Sequence, residues 1–136
     1  MPIAEVARRM LDTYPRDFNI DRDLLVECIT ACFDCAQACT QCADDCLSEP
    51  DVAQLVKCIR TNLDCADVCD AFATLGSRRT GSNEEVIRKL LDACITACRV
   101  CGEECQRHAS KHEHCRVCAE SCRQCETACQ SALRSM

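Results

Sequence analysis

The chain has 136 residues, 18 of them cysteine, with no tryptophan, 3% aromatic side chains and a formal net charge of −6. That length suits one domain with one core, but large hydrophobes are too scarce to fill it, so the interior must be made partly of sulfur. The acidic balance, with arginines spread among acids, excludes the basic patch a nucleic-acid partner needs, and no apolar run approaches the ~20 residues of a membrane span.

High cysteine in a short chain usually means a secreted disulfide scaffold behind a signal peptide. Here the opening residues carry Glu5, Arg8, Arg9 and Asp12 where a signal needs an apolar stretch. A reducing cytoplasmic location is therefore expected.

In chain order, Ile3, Val6, Ala7, Met10, Leu11 and Tyr14 fall at helical spacing and Pro15 ends the run, giving a short amphipathic helix with its linker over residues 1–18. Asn19 or Asp21 can cap the next helix, which runs to about Leu47. On it Cys28, Cys32, Cys35, Cys39, Cys42 and Cys46 step by four and three, so six thiols share one inward stripe. Ser48 and Pro50 mark a tight turn. A third helix, from about Asp51 to Leu75, carries Leu55, Cys58, Asn62, Cys65, Cys69 and Phe72 in the same register, and Gly76 is expected to stop it.

The loop-like segment 76–83 follows, with Ser82 and Glu85 matching a capping box. The fourth helix carries Ile87, Leu91, Cys94, Cys98, Cys101, Cys105 and His108, and the count continues to His112. Ser110 and Glu113 form a second capping box, placing a bend near residues 109–111. The last helix carries Cys115, Cys118, Cys122, Cys125 and Cys129 and ends near Leu133. His114 is off register and is read as solvent-facing.

The pentapeptide C-I-T-A-C occurs at Cys28 and again at Cys94, an offset of 66. At an offset of 60, Cys58, Cys65 and Cys69 align with Cys118, Cys125 and Cys129, while Asn62 stands opposite Cys122. The pattern is a duplicated αα-hairpin. It predicts an all-α, antiparallel up-down-up-down four-helix bundle over residues 19–133, one domain with the short N-terminal helix attached. Alternating direction puts Leu25, Phe72, Ile87, Leu91, Ala132 and Leu133 at one end as an apolar plug. Cys46, Asn62, His108, His112, Cys115 and Cys118 gather at the other, the expected mouth.

Inward thiols at this spacing suit a linear bridge, one metal between two sulfurs somewhat under about 5 Å apart. Soft thiolates favour Cu(I), with zinc and iron–sulfur clusters as competitors. Charge sharpens the choice. A Cu(I) ion replacing one thiol proton leaves the core neutral, whereas zinc on four private thiolates buries two negative charges without cations, which costs several kcal/mol per site. One metal per thiol gives a capacity of roughly 18 ions. A purely space-filling role is disfavoured, because Ala, Val or Leu would pack without the oxidation risk. Asp44 with Asp45, and Glu103 with Glu104, read as solvated faces. Cys98-Arg-Val-Cys101 lacks the βαβ setting of a thioredoxin motif. No catalytic dyad, phosphate loop or nucleotide fingerprint is present, so the chain is not expected to be an enzyme.

The CxxxC and CxxC alternation on four helices, together with histidines at one bundle end, resembles the cytosolic copper storage proteins, a bacterial family of cysteine-lined four-helix bundles. The resemblance covers about residues 20–133. It implies storage of many Cu(I) ions and a tetramer of bundles. By position, the cysteines already named are the storage ligands. His108 and His112 match mouth histidines, and Asn62 is an access point or weak ligand. Exported relatives place methionines at the mouth, whereas Met1, Met10 and Met136 lie outside the register. Partners expected are Cu(I), a copper chaperone or small-thiol donor, and further copies of the chain. The competing functions are a zinc or cadmium thiolate buffer and an iron–sulfur or thiol redox protein.

Overall fold

The computed structural model describes residues 1–81 and 83–136. Helix α1 spans Ile3–Asp12 and ends before Pro15, with the Thr13 N–H closing back on the Arg9 carbonyl. Helix α2 spans Arg22–Leu47, and the Asp21 carboxylate caps it by accepting from the Leu24 N–H at 2.9 Å.

The connection after α2 is longer than the tight turn expected. A 3-10 turn at Val52–Gln54 intervenes, and α3 begins at Val56 rather than near Asp51, running to Ser77. The cause is Leu55, fully buried at the junction, whose carbonyl receives the Ile59 N–H. Gly76 does not stop α3 but lies inside it. A Cβ there would come within 2.8 Å of the Phe72 ring, so the glycine serves close packing instead of termination.

Helix α4 spans Glu84–His108, with the Asn83 side chain accepting from the Val86 N–H at 3.4 Å. The Ser82–Glu85 capping box falls on a residue outside those described. Helix α5 spans Glu113–Arg134. The Ser110–Glu113 box does not form: His112 stands at the N-cap without a side-chain bond, and backbone bonds from Lys111 and His112 to the His108 carbonyl make the bend.

The four long helices form a bundle in which α2 packs on α3 and α5, and α4 packs on the same two, while α1 lies against α2. One end is closed by Leu25, Phe72, Leu91 and Ala132, all fully buried, with Ile87 beside them. Leu133 is only partly buried. Leu11 and Ile20 extend this apolar plug outward. Between the plug and the opposite end every one of the 18 cysteines is buried and free of disulfide. Among the described residues, no helix is long and apolar enough to cross a membrane.

Candidate metal centre

Because the thiol stripes of four helices face one axis, sulfur touches sulfur mainly across helix boundaries. Cys28 and Cys32 of α2 meet Cys129 of α5 at 3.6 and 3.7 Å. Cys35 meets Cys65 at 3.9 Å and Cys122 at 3.8 Å, and Cys39 meets Cys101 at 3.9 Å and Cys118 at 3.7 Å. Within a helix, the close pairs are four residues apart: Cys35 with Cys39, Cys65 with Cys69, Cys101 with Cys105, and Cys125 with Cys129, at 3.8–4.0 Å. Cys94, nearest the plug, donates to the Val68 carbonyl at 3.5 Å.

These separations revise the linear bridge expected from helical spacing. With metal–sulfur bonds of about 2.3 Å, sulfurs this close subtend roughly 105–120° at a shared ion, the trigonal to tetrahedral range. A linear bridge needs them to part to about 4.6 Å. Four sulfurs at a time also come together: Cys35–Cys65–Cys69–Cys98, Cys35–Cys39–Cys65–Cys122 and Cys39–Cys101–Cys118–Cys122 each hold their sulfurs within 4.8 Å of one another. Successive groups share members, since Cys35, Cys39, Cys65 and Cys122 each belong to two. The groups therefore cannot all act as independent four-sulfur sites. They form a continuous ladder whose sulfurs must bridge.

Burial opposes ionisation along this ladder, and at Cys46 it is the main reason the thiol is pushed up from its ordinary value. Hydrogen bonds polarise neighbours further. Cys28, donating to Cys129, holds its own proton more tightly, while Cys129, bonded by Cys125 and Cys28, is pulled down. Among the described residues the buried polar side chains are Asn62, Arg79 and Glu104. Arg79 lies over the Phe18 ring at the far end, so it offers the thiol ladder no counter-charge.

Asn62 lies in the mouth half of the ladder beside Cys118, as expected, but is fully buried there and does not line an open entrance. Its Oδ1 accepts from Cys101, Cys118 and Cys105 at 3.0, 3.3 and 3.3 Å, and its Nδ2 donates to the Cys58 sulfur at 3.7 Å. The amide occupies the place the repeat assigns to a nineteenth sulfur and satisfies four thiols in its stead.

The three histidines gather at the end where α2 and α4 finish and α3 and α5 begin. His108 does not touch a thiol. Its Nε2 donates to Glu104 at 2.9 Å, and that carboxylate, only 6% exposed, also meets Arg107 at 3.2 Å and Lys57 at 3.8 Å. Glu104 is thus a buried hub rather than the solvated face expected. His112 likewise meets carboxylates, Asp51 through Nε2 at 3.0 Å and Glu49 through Nδ1 at 2.5 Å, and its bond holds the Asp51 carboxyl below its ordinary value.

The histidine that reaches the thiols is His114, which the sequence reading placed in solvent. Its Nδ1 lies 3.4 Å from Cys42 and 3.6 Å from Cys115, completing a group with Cys46. Burial presses this ring toward neutrality, but its bonds to Cys42 and Glu49 outweigh that and raise its pKa. The register count misses His114 because it precedes the in-register Cys115 by one residue in the first turn of α5, where its ring reaches Cys42 across the helix boundary.

Comparisons with known proteins agree with this interior. The family profile described as copper storage protein matches residues 21–134. The copper storage protein Ccsp of Streptomyces lividans, in a structure loaded with 10 copper equivalents, superposes with a TM-score of 0.94 at 57% identity, covering 96% of this chain and 99% of that one. A mutant of the same protein with two histidines replaced by alanine gives a TM-score of 0.86 at 57% identity, covering 88% of this chain and 100% of that one. A third structure, of copper loading to a cytosolic copper storage protein from the same organism with five coppers, gives 0.80 at 54% identity over 96% and 97% of the two chains. No curated protein sequence matches. The profile match over residues 21–134 and the 54–57% identity to solved copper storage proteins over nearly the whole chain place this protein in the copper storage protein family.

Proposed function

We propose that the chain is a cytoplasmic store for Cu(I), holding many ions through bridging thiolates of the 18 cysteines and performing no catalysis. The observation that carries this reading is the sharing of Cys35, Cys39, Cys65 and Cys122 between neighbouring four-sulfur groups. Shared sulfurs suit a monovalent soft ion that needs few donors and brings one charge per displaced proton. A zinc or cadmium buffer would want private groups of four, and 18 thiols supply only about four of them. Ions arrive at the histidine end, because the other end is sealed by Leu25, Phe72 and Leu91. His108 and His112 line that approach, His114 hands ions to Cys42 and Cys115, and Asn62 stabilises the ladder or ligates weakly through Oδ1. A chaperone or small thiol delivers the ion there.

Exposed Met1, Ile3 and Met10 rim an apolar groove floored by Ile29 and Phe33, which supports association of copies, a tetramer by family resemblance. Anaerobic titration of the reduced protein with Cu(I) against a competing chelator tests the store. Saturation near 18 ions per chain is expected on the one-ion-per-thiol argument, and saturation at only about four or five would defeat it.

A further inference from the structure

The two hairpins differ at one pair of related positions. At the offsets of 66 and 60 that match them, Gly102 of α4 corresponds to Ala36 of α2, and Cys122 of α5 corresponds to Asn62 of α3. One hairpin therefore carries a glycine with a cysteine where the other carries an alanine with an amide. Gly102 is buried, and a β-carbon built on it would stand 3.3 Å from the Cys122 Cβ and 3.9 Å from the Ala119 carbonyl oxygen. Glycine inside a 25-residue helix weakens that helix relative to alanine. What it supplies in return is space between α4 and α5.

That space lies beside a sulfur that joins two parts of the ladder. Cys122 belongs to the groups Cys35–Cys39–Cys65–Cys122 and Cys39–Cys101–Cys118–Cys122. Its Sγ lies 3.8 Å from Cys35 and 3.7 Å from Cys39, both on α2, while its β-carbon faces α4 at Gly102. Helix α5 thus stands close to α4 and still presents this sulfur across the axis. Carbon atoms settle about 3.5–4.0 Å apart, so a β-carbon at residue 102 would displace Cys122 by roughly 0.2–0.7 Å. A binding constellation tolerates about 0.5 Å. The displacement is therefore large enough to spoil a shared ligand yet small enough for the bundle to absorb.

We propose that Gly102 is a positioning residue for the metal ladder: its missing β-carbon sets Cys122 where one sulfur serves both four-sulfur groups, so that the two groups take up Cu(I) as one unit. This role rests on the Cu(I) storage proposed above. Gly102 touches no ion and acts through Cys122. Because a crowded Cys122 is still a thiol, crowding lowers affinity and breaks the link between the groups without changing capacity.

The test titrates reduced protein anaerobically with Cu(I) against a competing chelator. The stoichiometry of the unaltered chain reports on the storage reading by itself. Gly102→Ala should keep that stoichiometry and the metal-free helix content, since alanine favours the helix. The ions shared through Cys122 should bind roughly tenfold more weakly, as when a supporting contact of a metal ligand is lost, and in a separate, later step. Gly76→Ala, which crowds Phe72 at the sealed end, should leave the copper isotherm unchanged. Cys122→Ala keeps the β-carbon and removes the sulfur, so adding Gly102→Ala to it should cause no further loss of copper affinity. Unaltered affinity in Gly102→Ala, or the same tenfold loss in the Cys122→Ala chain, would overturn the role and leave Gly102 as a packing residue. Should the crowded variants fail to fold, Cys122→Gly removes the opposing β-carbon. Gly102→Ala added to that chain should then bind copper as Cys122→Gly does alone, and a further loss would overturn the role equally.

Discussion

Loading the reduced, metal-free chain with Cu(I) should release one proton per ion, about 18 in all for the 18 thiols of the sequence. Every thiol is buried, the leading effect at Cys46 is burial raising its pKa, and the one buried cation among the described residues stands against Phe18 at the far end. A core so enclosed holds its protons until a cation of equal charge replaces them. The sign follows directly. Hydrogen bonds within the ladder pull some thiols down, Cys129 among them, by pushing partners such as Cys28 up, so the core as a whole keeps its protons through neutral pH; protons then compete with copper, and each ion's affinity should fall about tenfold, 1.36 kcal/mol, for each unit the pH drops. A pH-stat titration under anaerobic conditions counts the protons while a chromophoric chelator counts bound copper. Fewer than about half a proton per ion would mean a core already ionised, and two or more per ion with early saturation would mean private multi-thiolate sites. Either result refutes the neutral-ladder argument.

Replacing His108 and His112 together by alanine should slow Cu(I) uptake or removal in stopped-flow mixing while the equilibrium capacity stays near its original value, and unchanged rates would remove both from the route. Replacing His114 by alanine takes away the ring that reaches Cys42 and Cys115, so the ions bound nearest the mouth should weaken roughly tenfold or more in chelator competition. Gly76→Ala forces a Cβ to within 2.8 Å of the Phe72 ring at the sealed end, which should cost the metal-free bundle about 1–3 kcal/mol in chemical denaturation. Because that end holds no thiol group, its copper stoichiometry should not change.

The bundle, its alternating direction and the sealed end were legible in the sequence because they depend on periodicity alone: a four-and-three step fixes which face of a helix turns inward, whatever the residue. What periodicity does not fix is the phase at a helix start. The connection before α3, which begins only at Val56, carries Glu49 and Asp51 to His112, and His114 in the first turn of α5 meets Cys42. Asn62 shows the converse. Its register position was read correctly, yet its depth was not, since the sequence gives no sign that one amide oxygen can accept three thiols at 3.0–3.3 Å and so be sealed inside. Residues in the middle of a helix inherit their surroundings from the repeat, whereas residues at its ends take theirs from whichever neighbouring loop reaches them. The chemistry of this protein changes along the same line, from uniform sulfur in the bundle to mixed nitrogen, carboxylate and sulfur at the mouth.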